Sequence, residues 1–182
     1  LVAHVGRPQF IAALQKYFAK HAWGNTTLED LLVELEAASG RKLESWVNTW
    51  LQTAGVNTLR PALQIEGDVY KSITIEQETP LIPVDSKELR PHRLAVGLYD
   101  IKGDSLQLRK SVELDVAGAA TVVADFAGEK VADLLLINDR DLSYAKLRFD
   151  DRSIATLKTH LGKFDDALAR ALCWASIWDM HR

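Results

Sequence analysis

Five histidines are the residues whose chemistry matters first, because imidazole binds zinc and exchanges protons near neutral pH. They are His4, His21, His92, His160 and His181. A helix presents two ligands to one metal ion when they are three or four residues apart, and no two of these histidines have that spacing. The chain also contains no His-Glu-x-x-His stretch. We expect His21 to cap the end of a helix, and His4, His160 and His181 to lie at surfaces or interfaces.

A nucleophile or a pair of carboxylates is the other route to catalysis. Cys173 lies between Leu172 and Trp174 in a predicted helix, which favours a buried, unreactive thiol. Calcium binding or acid–base catalysis would suit the paired acids, but the spaced Asp/Asn/Gly loop is missing, and capping of helices is the better interpretation. These pairs are Asp139 and Asp141, Asp150 and Asp151, and Asp165 and Asp166. The residues therefore predict a scaffold with no catalytic, cofactor-binding or metal-binding residue.

Composition narrows the class of protein. The 182 residues are 47% hydrophobic and 26% charged, as in ordinary globular domains. A net charge of -3 without a basic run argues against nucleic-acid binding. The sequence shows no signal peptide, and no apolar stretch reaches the roughly 18 residues of a membrane span, so no membrane partner is expected. Cys173 is the single cysteine, which suits a reducing compartment, and we expect a cytoplasmic location.

The spacing of apolar residues predicts an α+β chain in three zones. Residues 1–60 have helical spacing, with one predicted face made of Phe10, Ile11, Leu14, Tyr17 and Phe18. Thr26 and Glu29 form a predicted capping box before a stripe of leucines closed by Gly40. A third helix carries Trp46 and Trp50 on one inward face and is predicted to end at Gly55.

Strands and then helices follow. Residues 61–138 alternate apolar and polar side chains between turn signals, which predicts an antiparallel β-sandwich with a loop over residues 78–93. Residues 139–182 return to helical spacing, with Ser153 as the predicted N-cap of one helix and a last helix starting near Asp165. That last helix has a predicted face of Leu168, Leu172, Ala175 and Asp179. Trp174 and Trp178 fit either a core or a docking surface.

Several stretches resemble the aminopeptidase N-type zinc aminopeptidases, in the bacterial and especially the actinobacterial branch. The first, over residues 17–31, resembles the family's "YF..H..gN....DL" passage through Tyr17-Phe18, His21, Asn25 and Asp30-Leu31. It continues in the family's order with Ser39-Gly40, Leu43, Trp46, Trp50-Leu51 and Gly55. The second, over residues 135–150, resembles the crossing out of the β-domain, and the closing segments are Arg170-Ala171-Leu172-Cys173-Trp174 and Trp178-Asp179-Met180.

The resemblance implies a division into domains. Residues 1–60 would be the C-terminal helices of a thermolysin-like catalytic domain, 61–138 the β-sandwich, and 139–182 the start of a C-terminal helical domain. Helical patterns at both ends of the sequence also predict a fragment, and cut surfaces predict weak self-association.

The resemblance also implies the activity of a full-length protein. Such a protein would use zinc to remove N-terminal amino acids from peptides. The zinc and catalytic residues would lie before this segment, which would act as an inactive scaffold. An alternative from another class stays open, in which the sandwich is a non-catalytic module that binds a protein or a glycan.

Overall fold

Helices occupy the first and last parts of the chain and strands the middle, which confirms the predicted α+β class. The computed structural model describes residues 1–83 and 85–181. Two compact units comprise Leu1–Thr53 and Ala54–Arg182. The helices are α1 (Val2–Val5), α2 (Arg7–Lys20), α3 (Leu28–Ser39), α4 (Glu44–Leu51), α5 (Asp151–His160) and α6 (Ala167–Met180). The strands are β1 (Thr58–Glu66), β2 (Val69–Glu78), β3 (His92–Lys102), β4 (Ser105–Val116), β5 (Ala120–Val122), β6 (Leu134–Asp139) and β7 (Lys146–Leu147).

A reciprocal capping box starts α3, one residue later than predicted. The Asp30 carboxylate accepts a hydrogen bond from the Thr27 backbone N–H at 2.8 Å, and Thr27 Oγ1 accepts from the Asp30 N–H at 3.4 Å. The prediction of Thr26 with Glu29 was wrong because Thr26 Oγ1 bonds instead to the Tyr17 hydroxyl, 2.5 Å away. The stripe on α3 buries Leu32 and Leu35, and Gly40 ends the helix in the left-handed conformation, as predicted.

The predicted inner face of α2 was partly wrong. Ala13 is the buried residue of this helix, while Ile11 and Phe18 are exposed, Phe18 to 64%. A face at positions 10, 13, 14 and 17 therefore replaces the predicted one. On α4, Trp46 is buried and Trp50 is partly buried, with their rings 5.9 Å apart and nearly parallel.

Gln52, not the predicted Gly55, caps the end of α4. Gly55 has a φ of 96° and lies where an added Cβ would come within 2.5 Å of the Pro80 side chain. Its role is close approach to the loop between β2 and β3, where a side chain would collide.

Two sheets form the predicted sandwich. One has the order β5-β2-β1-β7 and the other β4-β3-β6. Every pairing is antiparallel except that of β1 with β7, which is parallel over Thr58–Leu59 and Lys146–Leu147. Pro61 lies inside β1, beyond the end of this short parallel pairing, so its missing N–H interrupts no bond to β7. Large side chains from both sheets share one core, including Leu59, Ile73, Ile75, Leu94, Val96 and Leu98.

Helices α5 and α6 pack on the same core as the sheets. Leu157 of α5 and Ala169 and Cys173 of α6 belong to the sandwich's apolar cluster. The side of α6 that carries Leu168, Leu172, Ala175 and Asp179 is not its buried side: Ala169, Cys173 and Ser176 point inward, and Leu168 is exposed. These two helices and the sandwich form one compact unit here. The division into three domains, at residues 60 and 138, stays a prediction.

No helix in the described ranges 1–83 and 85–181 has the length and apolar character needed to cross a membrane.

Candidate functional site

His92 is the histidine with the most organised surroundings. It is 1% exposed at the start of β3. Its Nε2 lies 2.8 Å from Gln77 Oε1 on β2, and its Nδ1 lies 2.6 Å from the Ser143 hydroxyl. Gln77 also donates through its Nε2 to the Gly118 carbonyl at 2.9 Å, which fixes the amide and leaves Oε1 to accept. His92 therefore carries a proton on Nε2, and in the neutral imidazole Nδ1 accepts a hydrogen bond from the Ser143 hydroxyl.

Burial and a neighbouring cation keep His92 uncharged. Removal from water, and secondarily the charge of Arg90, lower the pKa of His92 to about 4. A base with that pKa and no access to solvent does not exchange protons with a substrate near neutral pH. The hydrogen-bonded series Ser143–His92–Gln77 consequently joins the two sheets to the segment after β6. Because His92 does not act as a base, it does not activate Ser143 as a nucleophile.

The loop between β2 and β3 is fastened by a second buried pair. Arg90 donates to Asn57 Oδ1 at 3.2 Å and to the Ala54 carbonyl at 3.1 Å. The Asn57 amide donates in turn to the carbonyls of Glu78 and Glu88, at 3.1 and 2.6 Å. These contacts satisfy backbone carbonyls at both ends of the loop, so their role is to hold its shape.

Asp139 forms a third polar cluster with Tyr99 and lies close to Cys173. The Tyr99 hydroxyl donates to Asp139 Oδ1 at 2.7 Å, and the Ser111 hydroxyl donates to Oδ2 at 3.3 Å. Burial raises the pKa of Asp139, although these two hydrogen bonds oppose the rise. Burial and the Asp139 charge raise the pKa of the Cys173 thiol, so the thiol stays protonated. The predicted burial of Cys173 is confirmed.

Asp139 and its neighbours correct another expectation. The pair Asp139 and Asp141 was expected to cap a helix, but Asp139, like Asn138, is buried at the end of β6. The turn follows at Arg140 and Asp141, which have positive φ, as does Asn138. The Asn138 amide donates to the Ser143 carbonyl at 2.6 Å and accepts from the Ser143 N–H at 2.9 Å, closing the turn.

The remaining acidic pairs cap helices, as predicted. Asp150 accepts from the Ser153 N–H at 3.0 Å and begins α5, so the prediction of Ser153 as the N-cap was wrong. Ser153 instead donates to Asp150 at 2.5 Å and accepts from the Leu135 N–H of β6 at 3.0 Å. Asp166 accepts from the N–H groups of Leu168 and Ala169 and begins α6.

The other histidines lie apart from His92. The backbone N–H of His21 caps α2 by donating to the Tyr17 carbonyl at 3.0 Å. His4 Nδ1 is 3.5 Å from an Arg41 nitrogen, His160 Nδ1 is 2.8 Å from the Thr159 hydroxyl, and His181 is exposed. Across residues 1–83 and 85–181, no group of three or more His, Cys, Asp or Glu side chains could hold a metal ion. The described residues do not fit a zinc site.

Reasoning from the sequence missed the role of His92. Its two partners lie 15 and 51 residues away, at Gln77 and Ser143, and belong to different elements. No local spacing signals such a cluster. The one local signal for the turn that carries Ser143 was the run Asn138-Asp139-Arg140-Asp141, since Asn and Asp adopt positive φ more readily than any residue except Gly.

Comparison with known proteins connects this scaffold to aminopeptidases. The chain is 50% identical over its whole length to aminopeptidase N of Streptomyces lividans and covers 22% of that protein. It is 31% identical to aminopeptidase N of Escherichia coli over 110 residues, which are 58% of this chain and 12% of that protein. No protein-family profile matches the chain.

A solved structure has a similar fold. Legionella pneumophila aminopeptidase A, in complex with aspartic acid, superposes with a TM-score of 0.63 over 93% of this chain at 19% identity. The match covers 19% of that protein, so the chain spans about a fifth of the length of this structure and of the Streptomyces relative. These relatives support the aminopeptidase interpretation, and the alternative of a binding module is no better supported. The chain corresponds to a segment of an aminopeptidase N-type protein.

Proposed function

We propose that this chain is a supporting segment of a zinc aminopeptidase that removes N-terminal amino acids from peptides. The observation that carries the proposal is the 50% identity to Streptomyces aminopeptidase N across the whole chain. The resemblance stated from the sequence implies zinc and a peptide substrate. Because the described residues supply no set of three metal ligands, zinc would be held by residues outside this chain.

The contribution of this segment would be rigidity. Three buried polar clusters, around His92, around Arg90 and around Asp139, join strands and loops that are distant in sequence. Each cluster is hydrogen-bonded internally, as a buried polar group must be if it is not to destabilise the fold. A cytoplasmic location stays a prediction.

Metal analysis and activity measurements on the 182-residue chain test whether this segment is only a support. We expect no stoichiometric zinc in tag-free protein and no release of amino acids from aminoacyl-p-nitroanilides. One zinc ion per chain that survives dialysis, or turnover that a chelator abolishes, would contradict a purely supporting role.

The proposed aminopeptidase activity is tested on a longer natural polypeptide that contains this sequence. We expect it to release N-terminal amino acids from peptides and to lose that activity on treatment with a chelator. The variant His92→Gln in that polypeptide should lower the melting temperature and leave the zinc content unchanged. A polypeptide that does not cleave peptides at the N-terminus would overturn the proposed function.

A further inference from the structure

We draw no further inference here: the strongest candidate, the outer face of α6 with its exposed side chains Trp174 and Trp178, carries none, because nothing in the structure shows what covers that face.

Discussion

His92 Nε2 lies 2.8 Å from Gln77 Oε1, and this contact links β3, the central strand of one sheet, to β2, an inner strand of the other. The imidazole is neutral in the folded chain and resists protonation because it is buried and lies near Arg90. In the unfolded chain the same imidazole takes up a proton at its ordinary pKa. Folding and proton binding are therefore coupled at this residue.

The first prediction concerns acid stability. The folded pKa of His92, about 4, lies below the ordinary value of 6.5, so its stabilising contribution is complete above pH 6.5 and is lost as the pH falls toward 4. The free energy of unfolding should fall by about 3 kcal/mol across that window. In His92→Gln, which keeps a donor and an acceptor but does not titrate, this part of the pH dependence should vanish. Urea unfolding at pH 7 and pH 4 measures both.

The titration of carboxylates with shifted pKa values does not produce the same loss of stability between pH 6.5 and pH 4. Asp133 and Asp179 have pKa values below the usual 3.8 and lose their contribution only under more acidic conditions. The raised pKa of Asp139 acts in the opposite direction, since protonation is easier in the folded chain. All three aspartates are present both in the parent chain and in the His92→Gln variant. Parallel stability curves for the two proteins would therefore contradict the assignment to His92.

The second prediction separates two tryptophans of α4. Trp46 is 9% exposed and Trp50 is only partly buried, so truncation should not cost the same at the two positions. Trp46→Ala should lower the free energy of unfolding of residues 1–53 by about 3–5 kcal/mol. Trp50→Ala should cost about 1–2 kcal/mol, mainly from the lost ring contact and partial burial. Hydrogen exchange of the α4 amides reports on this unit directly.

Trp23→Ala is the control for both substitutions, because Trp23 is fully exposed. It should change stability by less than about 0.5 kcal/mol. Equal effects of Trp46→Ala and Trp50→Ala would show that the two rings contribute alike to the core.

The third prediction concerns the close approach of Gly97 to the Tyr99–Asp139 pair. A Cβ at Gly97 would lie 2.8 Å from the Tyr99 ring and 2.9 Å from Asp139 Oδ2. These two side chains are buried and bonded to each other, so neither can move away without losing that bond. Gly97→Ala should destabilise the chain by about 1–3 kcal/mol in chemical unfolding. Gly162→Ala, where nothing lies within 4 Å, should be neutral or slightly stabilising.

The fourth prediction tests the bond between α5 and β6. Ser153→Ala removes the acceptor of the Leu135 N–H and a donor to Asp150, leaving a buried N–H without its partner. The expected cost is about 1–3 kcal/mol. Thr159→Ala in the same helix removes a hydroxyl that bonds only to its neighbours Thr156 and His160, and it should be close to neutral. Similar losses for both variants, measured by thermal unfolding, would argue against the role given to Ser153.

Local pattern predicted the elements better than it predicted their ends and faces. Alternation identified the long strands because each has one side in the sandwich core. The caps at Thr27 and Asp150 were misplaced, since several neighbouring residues can accept the same bonds and only tertiary contacts choose among them. Periodicity could not tell which side of α6 faces the sheet, because apolar residues occur on both sides of this helix.

Contacts between distant residues lay beyond the sequence pattern. The neutral state of His92 depends on its burial and on the charge of Arg90, and its hydrogen-bond partners Gln77 and Ser143 reach it from another strand and from a loop. The parallel pairing of β7 with β1 is of the same kind. Two residues are too few to signal a strand by their pattern.

That parallel pairing sets the order in which the chain can fold. Thr58 and Lys146 are separated by about 90 residues, so their contact closes about two thirds of the second unit into a loop. Hairpins such as β3–β4 can form as soon as they emerge during synthesis, but the edge of the first sheet stays open until β7 is available. An open edge is where nascent sheets associate wrongly. A ribosome-bound chain that ends before residue 146 should therefore remain protease-sensitive, and the same chain extended through α6 should become resistant.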